Sequence, residues 1–210
     1  MCGIIGYIGN SQISEKNFNS ARDLIYHRGP NWGDTKIYKK LNQYIYFGHR
    51  RLSIIDITKS SNQPFEFKNL SLIFNGEIYN YIELRGLLQK KGYKFFTSGD
   101  TEVLIKSIHC WGKKVFNYLD GMWSFACINK TNGDILISRD RFGEKPLYYS
   151  MTNDGFYFSS DIRVIQCLAE KQFKKNIKKL ASSVVTGYRS SHKNLSETYY
   201  ENIHQLSGSN

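Results

Sequence analysis

The sequence predicts an α+β fold, with mainly antiparallel sheets at the centre and helices packed outside them. Two observations carry this. Segments rich in β-branched and aromatic residues arrive in adjacent pairs, residues 123–129 with 134–138 and 147–151 with 155–159. Strands that follow one another so closely pair antiparallel, because a parallel neighbour needs a crossover of a dozen residues or more. The helical patterns fall between only some of these strands, so the chain does not read as an alternating βαβ series.

Seven segments read as strands: GIIGYI, LNQYIYFGHR, LSLIFNG, GMWSFACINK, GDILISRD, KPLYYSM and GFYFSS. Several alternate with period two and end at turn residues. A helix is expected from about Glu15 to Tyr26. A second, NYIELRGLLQKKG, places Asn80 and Glu83 at capping-box spacing, sets Tyr81, Leu84, Leu87 and Leu88 on one face, and stops at Gly92. A third, DTEVLIKSIHCWG, begins with Asp100 as an acid at a helix start and carries Leu104, Ile108 and Trp111 as its apolar stripe. In KQFKKNIKKL, Phe173, Ile177 and Leu180 recur at i, i+4 and i+7, so its lysines read as the solvated face of a helix.

At 210 residues the chain fits one domain, residues 1–210, large enough to bury roughly 70% of the surface its unfolded form exposes. The net charge of +11 is concentrated in part after Arg163 and scattered elsewhere, which argues against a nucleic-acid partner. No apolar run approaches 18 residues, so no membrane partner is expected. Cys2, Cys110, Cys127 and Cys167 show no paired spacing, and the first segment is no secretion signal. A cytoplasmic location follows as the expectation. His109 beside Cys110 lacks a second ligand pair, so no metal site is expected.

The opening MCGIIGYIGN poses the chemical question, since a cysteine directly follows the initiator methionine. Gly3, Gly6 and Gly9 form G-x-x-G-x-x-G and not the G-x-G-x-x-G of a dinucleotide fingerprint, and the sequence contains no G-x-x-x-x-G-K-[ST]. Two readings of Cys2 then stand open. It is a small buried hydrophobe, or it is a nucleophile at the chain's own end. Once methionine is trimmed, such a residue carries a thiol and a free α-amine together, and an amine with a pKa of about 7.7–8.0 can serve as its base.

The stretches MCGIIGYIG, HRGPNWGD, GHRRLSIIDI, FNGEIYNY, SGDTEVLI, LDGMWSFA and RDRFGEKPLYY resemble, in order, the class II glutamine amidotransferases. They are most similar to the glutaminase half of glutamine-hydrolysing asparagine synthetase, and they cover residues 1 to about 165. The resemblance implies the four-layer α-β-β-α sandwich of N-terminal nucleophile hydrolases, with two stacked antiparallel sheets. It also implies hydrolysis of L-glutamine to glutamate and ammonia through a thioester on Cys2. Arg51 matches the arginine that grips the substrate α-carboxylate, a task suited to a guanidinium fork. Leu52, Ser53, Ile54 and Ile55 would line the same pocket. Asn75 and Gly76 match the oxyanion donors, although Asn-Gly is also the commonest hairpin-turn pair. Glu77 and Asp100 match the acids that receive the α-ammonium, and for Asp100 helix capping is the rival role. His27 and Arg28 are given no chemistry, and Arg50 reads as a surface charge.

This resemblance sets further expectations. The glutaminase reaction needs no cofactor. ATP and Mg²⁺ belong to a C-terminal synthetase domain, the expected partner, which is not in this chain, and the full-length enzyme leaves room for a homodimer. Asparagine is the expected final product; amidation of a sugar acid or a peptide, or an inactive regulatory module of the same fold, are the alternatives. Asn31 stands where the family usually has Asp, and SSDIRVI departs from the family's usual stretch; neither is expected to touch the site.

Overall fold

The computed structural model describes residues 1–40, 42–187 and 196–208. Chain order is β1 (Gly3–Gly9), α1 (Glu15–Asp23), β2 (Trp32–Lys40), β3 (Gln43–Arg51), β4 (Phe65–Phe67), β5 (Leu70–Ile78), α2 (Tyr81–Lys90), α3 (Asp100–Trp111), β6 (Gly121–Asn129), β7 (Ile135–Arg139), β8 (Tyr148–Thr152), β9 (Gly155–Ser159), α4 (Ile162–Leu168), α5 (Ile177–Thr186) and β10 (His204–Gln205). Six strands form one sheet in the order β10-β8-β9-β1-β3-β2, and four form a second in the order β4-β5-β6-β7. Neighbours in both are antiparallel.

Side-chain alternation builds the layers. On β1, Ile5 and Tyr7 pack with Phe18 and Ala21 of α1 and Val164 and Ile165 of α4. Ile4 points the other way and meets Phe47 of its own sheet and Ile73, Ala126 and Ile128 of the second. The far face of the second sheet presents Leu72, Phe74 and Phe125 to Leu84 and Leu88 of α2 and Leu104 and Ile108 of α3. Helices, sheet, sheet and helices therefore stack as four layers, and β1 is buried on both faces. Gly6 leaves room for the ring of Phe158, its cross-strand neighbour on β9, since a Cβ there would collide with that ring.

All seven expected strands form. The predicted first residue of one, Leu41, lies outside the described residues, as do Arg189 and Lys193 of the basic C-terminal stretch. Strand β2 is an addition to them. It is the sheet edge, paired to β3 from Trp32↔Arg51 to Lys40↔Gln43, and its Asp34, Lys36, Lys39 and Lys40 give an edge strand's charge in place of apolar alternation. The short β4 and β10 are further additions.

Several helix details differ from expectation. The first helix stops at Asp23, and a short 3₁₀ turn over Tyr26–Arg28 leads into Gly29-Pro30. The capping box does not form: Asn80 donates to the Tyr118 carbonyl and accepts from the Asp120 N–H, tying α2 to the start of β6. Leu87 is exposed. The last helix starts at Ile177, where the Asn176 side chain accepts the Lys179 N–H at 3.1 Å. The spacing from Phe173 therefore crosses a helix boundary. Phe173 is buried in the core, and Ile177 is exposed.

Candidate active site

Strand β1 delivers Cys2 to one end of the space between the sheets, and there a cleft is lined by Cys2, Arg51, Leu52, Ile54, Ile55, Asn75, Gly76, Glu77 and Asp100. The fold thus brings together, from β1, β3, the loop after it, β5 and α3, residues that the sequence already singles out. Ser53 stays outside the lining; its N–H donates to Asn31 Oδ1 at 3.0 Å. Met1 also lines the cleft.

The Cys2 sulfur receives the Leu52 N–H at 3.4 Å and lies 3.6 Å from the Leu52 carbonyl oxygen. Burial pushes the thiol up from its ordinary value, against the opposing pull of the Leu52 hydrogen bond, the chain's N-terminal charge and Arg51. A thiol raised in this way is not a standing thiolate at neutral pH, so nucleophilic attack needs a base. Arg28 Nε donates to the Cys2 carbonyl at 3.0 Å. This arginine, given no chemistry from sequence, holds the backbone of the terminal residue.

Asn75 and Gly76 lie inside β5, opposite Ser124 and Trp123 of β6, and not in a hairpin turn. The antiparallel ladder alternates, so even-numbered residues of β5 direct their N–H groups away from β6, past the end of β4. Gln63 Oε1 accepts from Phe74 at 2.6 Å, and Asp100 Oδ2 accepts from Ile78 at 3.0 Å. Between these two capped donors, Gly76 presents its N–H to the cleft. A Cβ at Gly76 would collide with the Met122 carbonyl oxygen, which explains glycine here. The Asn75 side chain is buried, with Nδ2 3.4 Å from Ser124 Oγ. Two donors from adjacent residues therefore sit where a developing oxyanion could be received.

Arg51 is buried at 6% exposure. Its Nη1 donates to the Thr58 carbonyl and to Asn62 Oδ1, each at 2.7 Å, and its Nη2 donates to the Asp56 carbonyl. Of the five guanidinium N–H groups, these bonds to described residues take three and leave the Nε–H and one Nη2–H as further donors. Arg50 corrects the sequence reading. It is no surface charge but is buried at 8% exposure, with Nε on the Gly29 carbonyl, Nη1 on Asp23 and its guanidinium 4.6 Å from the Tyr26 ring centroid.

Asp100 is the first residue of α3, and burial, with Glu77 adding to it, pushes its carboxyl up to about 6. Glu77 is exposed at the cleft rim. Among the residues singled out from sequence, the cleft places the Arg51 cation and the acids Glu77 and Asp100 around the Cys2 thiol and the Asn75 and Gly76 donors, charges of both signs such as a zwitterion would need.

A family model described as a glutamine amidotransferase domain matches residues 1–210. The chain belongs to that family. The chain is 40% identical over 168 residues to the glutamine-hydrolysing asparagine synthetase 1 of Bacillus subtilis (strain 168), covering 77% of this chain and 26% of that protein. It is 34% identical over 171 residues to the glutamine-hydrolysing asparagine synthetase 2 of Oryza sativa subsp. japonica, covering 79% and 28%. The glutamine amidotransferase domain therefore spans little more than a quarter of the length of these relatives. Among solved structures, the glutamine phosphoribosylpyrophosphate amidotransferase from B. subtilis, complexed with ADP and GMP, superposes with a TM-score of 0.66 at 23% identity, over 80% of this chain and 44% of that one. That likeness shows the fold, the four-layer sandwich expected above.

Of the two sequence departures, Asn31 contacts residues of the expected site, whereas SSDIRVI reaches only the neighbouring strand residue Ile4. Asn31, besides binding Ser53, donates its N–H to the Arg51 carbonyl at 3.1 Å. In SSDIRVI, Ser160 Oγ accepts the Ile4 N–H and Ser159 Oγ donates to the Ile4 carbonyl, two residues from Cys2. Sequence reading also passes over Asp56, Gln63, Met122 and Lys145, all of which line the cleft. Lys145 is a buried cation, and Asp56 and Gln63 are buried hydrogen-bond hubs. Asp56 stands inside GHRRLSIIDI, where a single acid among isoleucines is the available signal. Within the described residues no helix is long and apolar enough to cross a membrane.

Proposed function

We propose that this glutamine amidotransferase domain hydrolyses L-glutamine to glutamate and ammonia, and that the ammonia serves ATP-dependent amidation of aspartate in a C-terminal synthetase region. The single observation that carries the reading is the convergence of Cys2, Arg51, Asn75, Gly76 and Asp100 on one cleft. With Met1 removed, the α-amine of Cys2 takes the thiol proton and the sulfur attacks the side-chain amide carbon. Asn75 Nδ2 and the Gly76 N–H donate to the oxygen that gains charge. The protonated amine passes its proton to the departing nitrogen, the C–N bond breaks and ammonia leaves. Water, deprotonated by the same amine, then cleaves the thioester and returns the thiol. Arg51 receives the α-carboxylate, and Asp100 with Glu77 receives the α-ammonium.

This chemistry is complete in thiol, amine and hydrogen-bond donors, so ATP and Mg²⁺ are assigned to the synthetase region. The partly matched length of the named asparagine synthetases supports that division. The test is direct. The chain incubated with glutamine, without nucleotide and with a chelator present, should release glutamate and ammonia in equal amounts; with aspartate, ATP and Mg²⁺ added it should make no asparagine. Glutamine hydrolysis that requires ATP would refute the proposal.

A further inference from the structure

We propose that Asp56 is a positioning residue that ties the two sides of the substrate clamp, Arg51 and Asp100, into one unit. The inference rests on the glutaminase reading of the cleft and adds to it what sets the clamp's geometry. Asp56 is buried at 6% exposure between the loop that follows β3 and the segment that leads into α3. Its Oδ1 accepts the Thr58 N–H at 2.8 Å and the Thr58 hydroxyl at 2.6 Å. Its Oδ2 accepts the Ser98 N–H at 2.9 Å and the Ser98 hydroxyl at 3.0 Å. One carboxylate oxygen thus serves each side of the cleft.

Both attachments lead to clamp residues. On the first side, the Thr58 carbonyl accepts from Arg51 Nη1, and the Asp56 carbonyl accepts from Arg51 Nη2. On the second, Ser98 stands two residues before Asp100, and the intervening Gly99 faces Asp56, since a Cβ added there would come within 3.4 Å of the Asp56 Cβ. The 96–98 segment is held from behind as well: Glu102 accepts from the Phe96 and Thr97 N–H groups and pairs with Lys106. Asp56 is placed to carry a shift of one side to the other. Burial raises its carboxyl, but hydrogen bonds, led by those from Thr58 and the Ser98 N–H, outweigh it and keep the carboxyl below the usual range.

An amide in place of this carboxylate can accept on one side only; its NH₂ would face donors on the other. Asp56→Asn should therefore weaken glutamine binding about 10-fold and raise KM with it, while kcat changes less, since the oxyanion donors and Cys2 are untouched. Ser98→Ala and Thr58→Val, which each delete one hydroxyl, should move KM the same way by about 3-fold, read on protein that circular dichroism shows to be folded. Glutamine affinity is read by calorimetry on the full chain, in parallel with steady-state kinetics. Unchanged affinity in the folded variants, or a loss confined to kcat, would overturn the role of Asp56. A wild-type chain that binds glutamine without releasing ammonia would refute the glutaminase reading instead, and the calorimetric comparison would still decide the latch.

Discussion

The Asp100 carboxylate accepts the Ile78 N–H at 3.0 Å, and this bond fastens the first turn of α3 to the free edge of β5. It places an acid beside the Gly76 donor and inside the cleft, where burial opposes its ionisation. The acid proposed to receive the substrate ammonium thus sits in an environment that disfavours its charge.

Stability should report that conflict. The folded carboxyl titrates near 6, above its ordinary value, so its contribution to stability is fully present below the ordinary carboxylate range and is lost as pH rises through about 6. Asp100→Asn, which keeps an acceptor for Ile78, should raise stability at pH 7 by up to about 3 kcal/mol and leave it nearly unchanged at pH 3.5, since each tenfold change in the ionisation equilibrium corresponds to about 1.4 kcal/mol. Thermal melts at the two pH values check this. Equal midpoints for the variant and the wild type at pH 7 would contradict it.

Binding should show the same group from the other side. A glutamine ammonium favours the ionised form, so affinity should weaken as pH falls through about 6. Measured on a Cys2→Ala background, the trend is free of the nucleophile and is expected to vanish in the Asp100→Asn double variant.

Much of the fold is legible because buried strands carry their signature locally. GIIGYI and GMWSFACINK are apolar enough to read alone, and both form central strands. Strand β2 is not legible, since an edge strand with four charged residues resembles a loop until its partner is known. The site divides along a similar line. Cys2, Arg51, Asn75 and Gly76 occur in recognisable local stretches, whereas Asp56 and Gln63 act through contacts 42 and 38 residues away in sequence. The buried Glu102–Lys106 pair reads as ordinary helix charges for the same reason.

Removal of the Asn75 amide tests the oxyanion site. Asn75→Ala should lower kcat by roughly 10²- to 10³-fold with a smaller change in KM. Steady-state ammonia release measures both. An unchanged kcat would assign Asn75 to packing against Ser124 alone.

Arg51→Lys should act mainly on binding. A lysine lacks a guanidinium's planar fork of donors and cannot satisfy Thr58, Asn62 and Asp56 together. The expected result is a glutamine KM raised by at least about 10-fold, with kcat less affected. A KM equal to wild type would remove Arg51 from carboxylate recognition.

The state of the N-terminus governs the whole mechanism. Met1 lines the cleft, and while it remains the Cys2 nitrogen is an amide without basicity. Intact mass should show Met1 absent from active protein, and a variant with a non-removable N-terminal extension should lose hydrolysis. Full activity in protein that keeps Met1 would exclude the α-amine as base.

The central claim is that Cys2 is the nucleophile, and a mass measurement tests it most directly. A glutamine-like diazoketone should add one adduct to the Cys2 peptide, abolish ammonia release in step with labelling, and leave the exposed Cys167 unmodified. Folded Cys2→Ala protein should take up no adduct and release no ammonia while still binding glutamine. An adduct on any other cysteine that tracks loss of activity, or measurable turnover by Cys2→Ala, would contradict the claim.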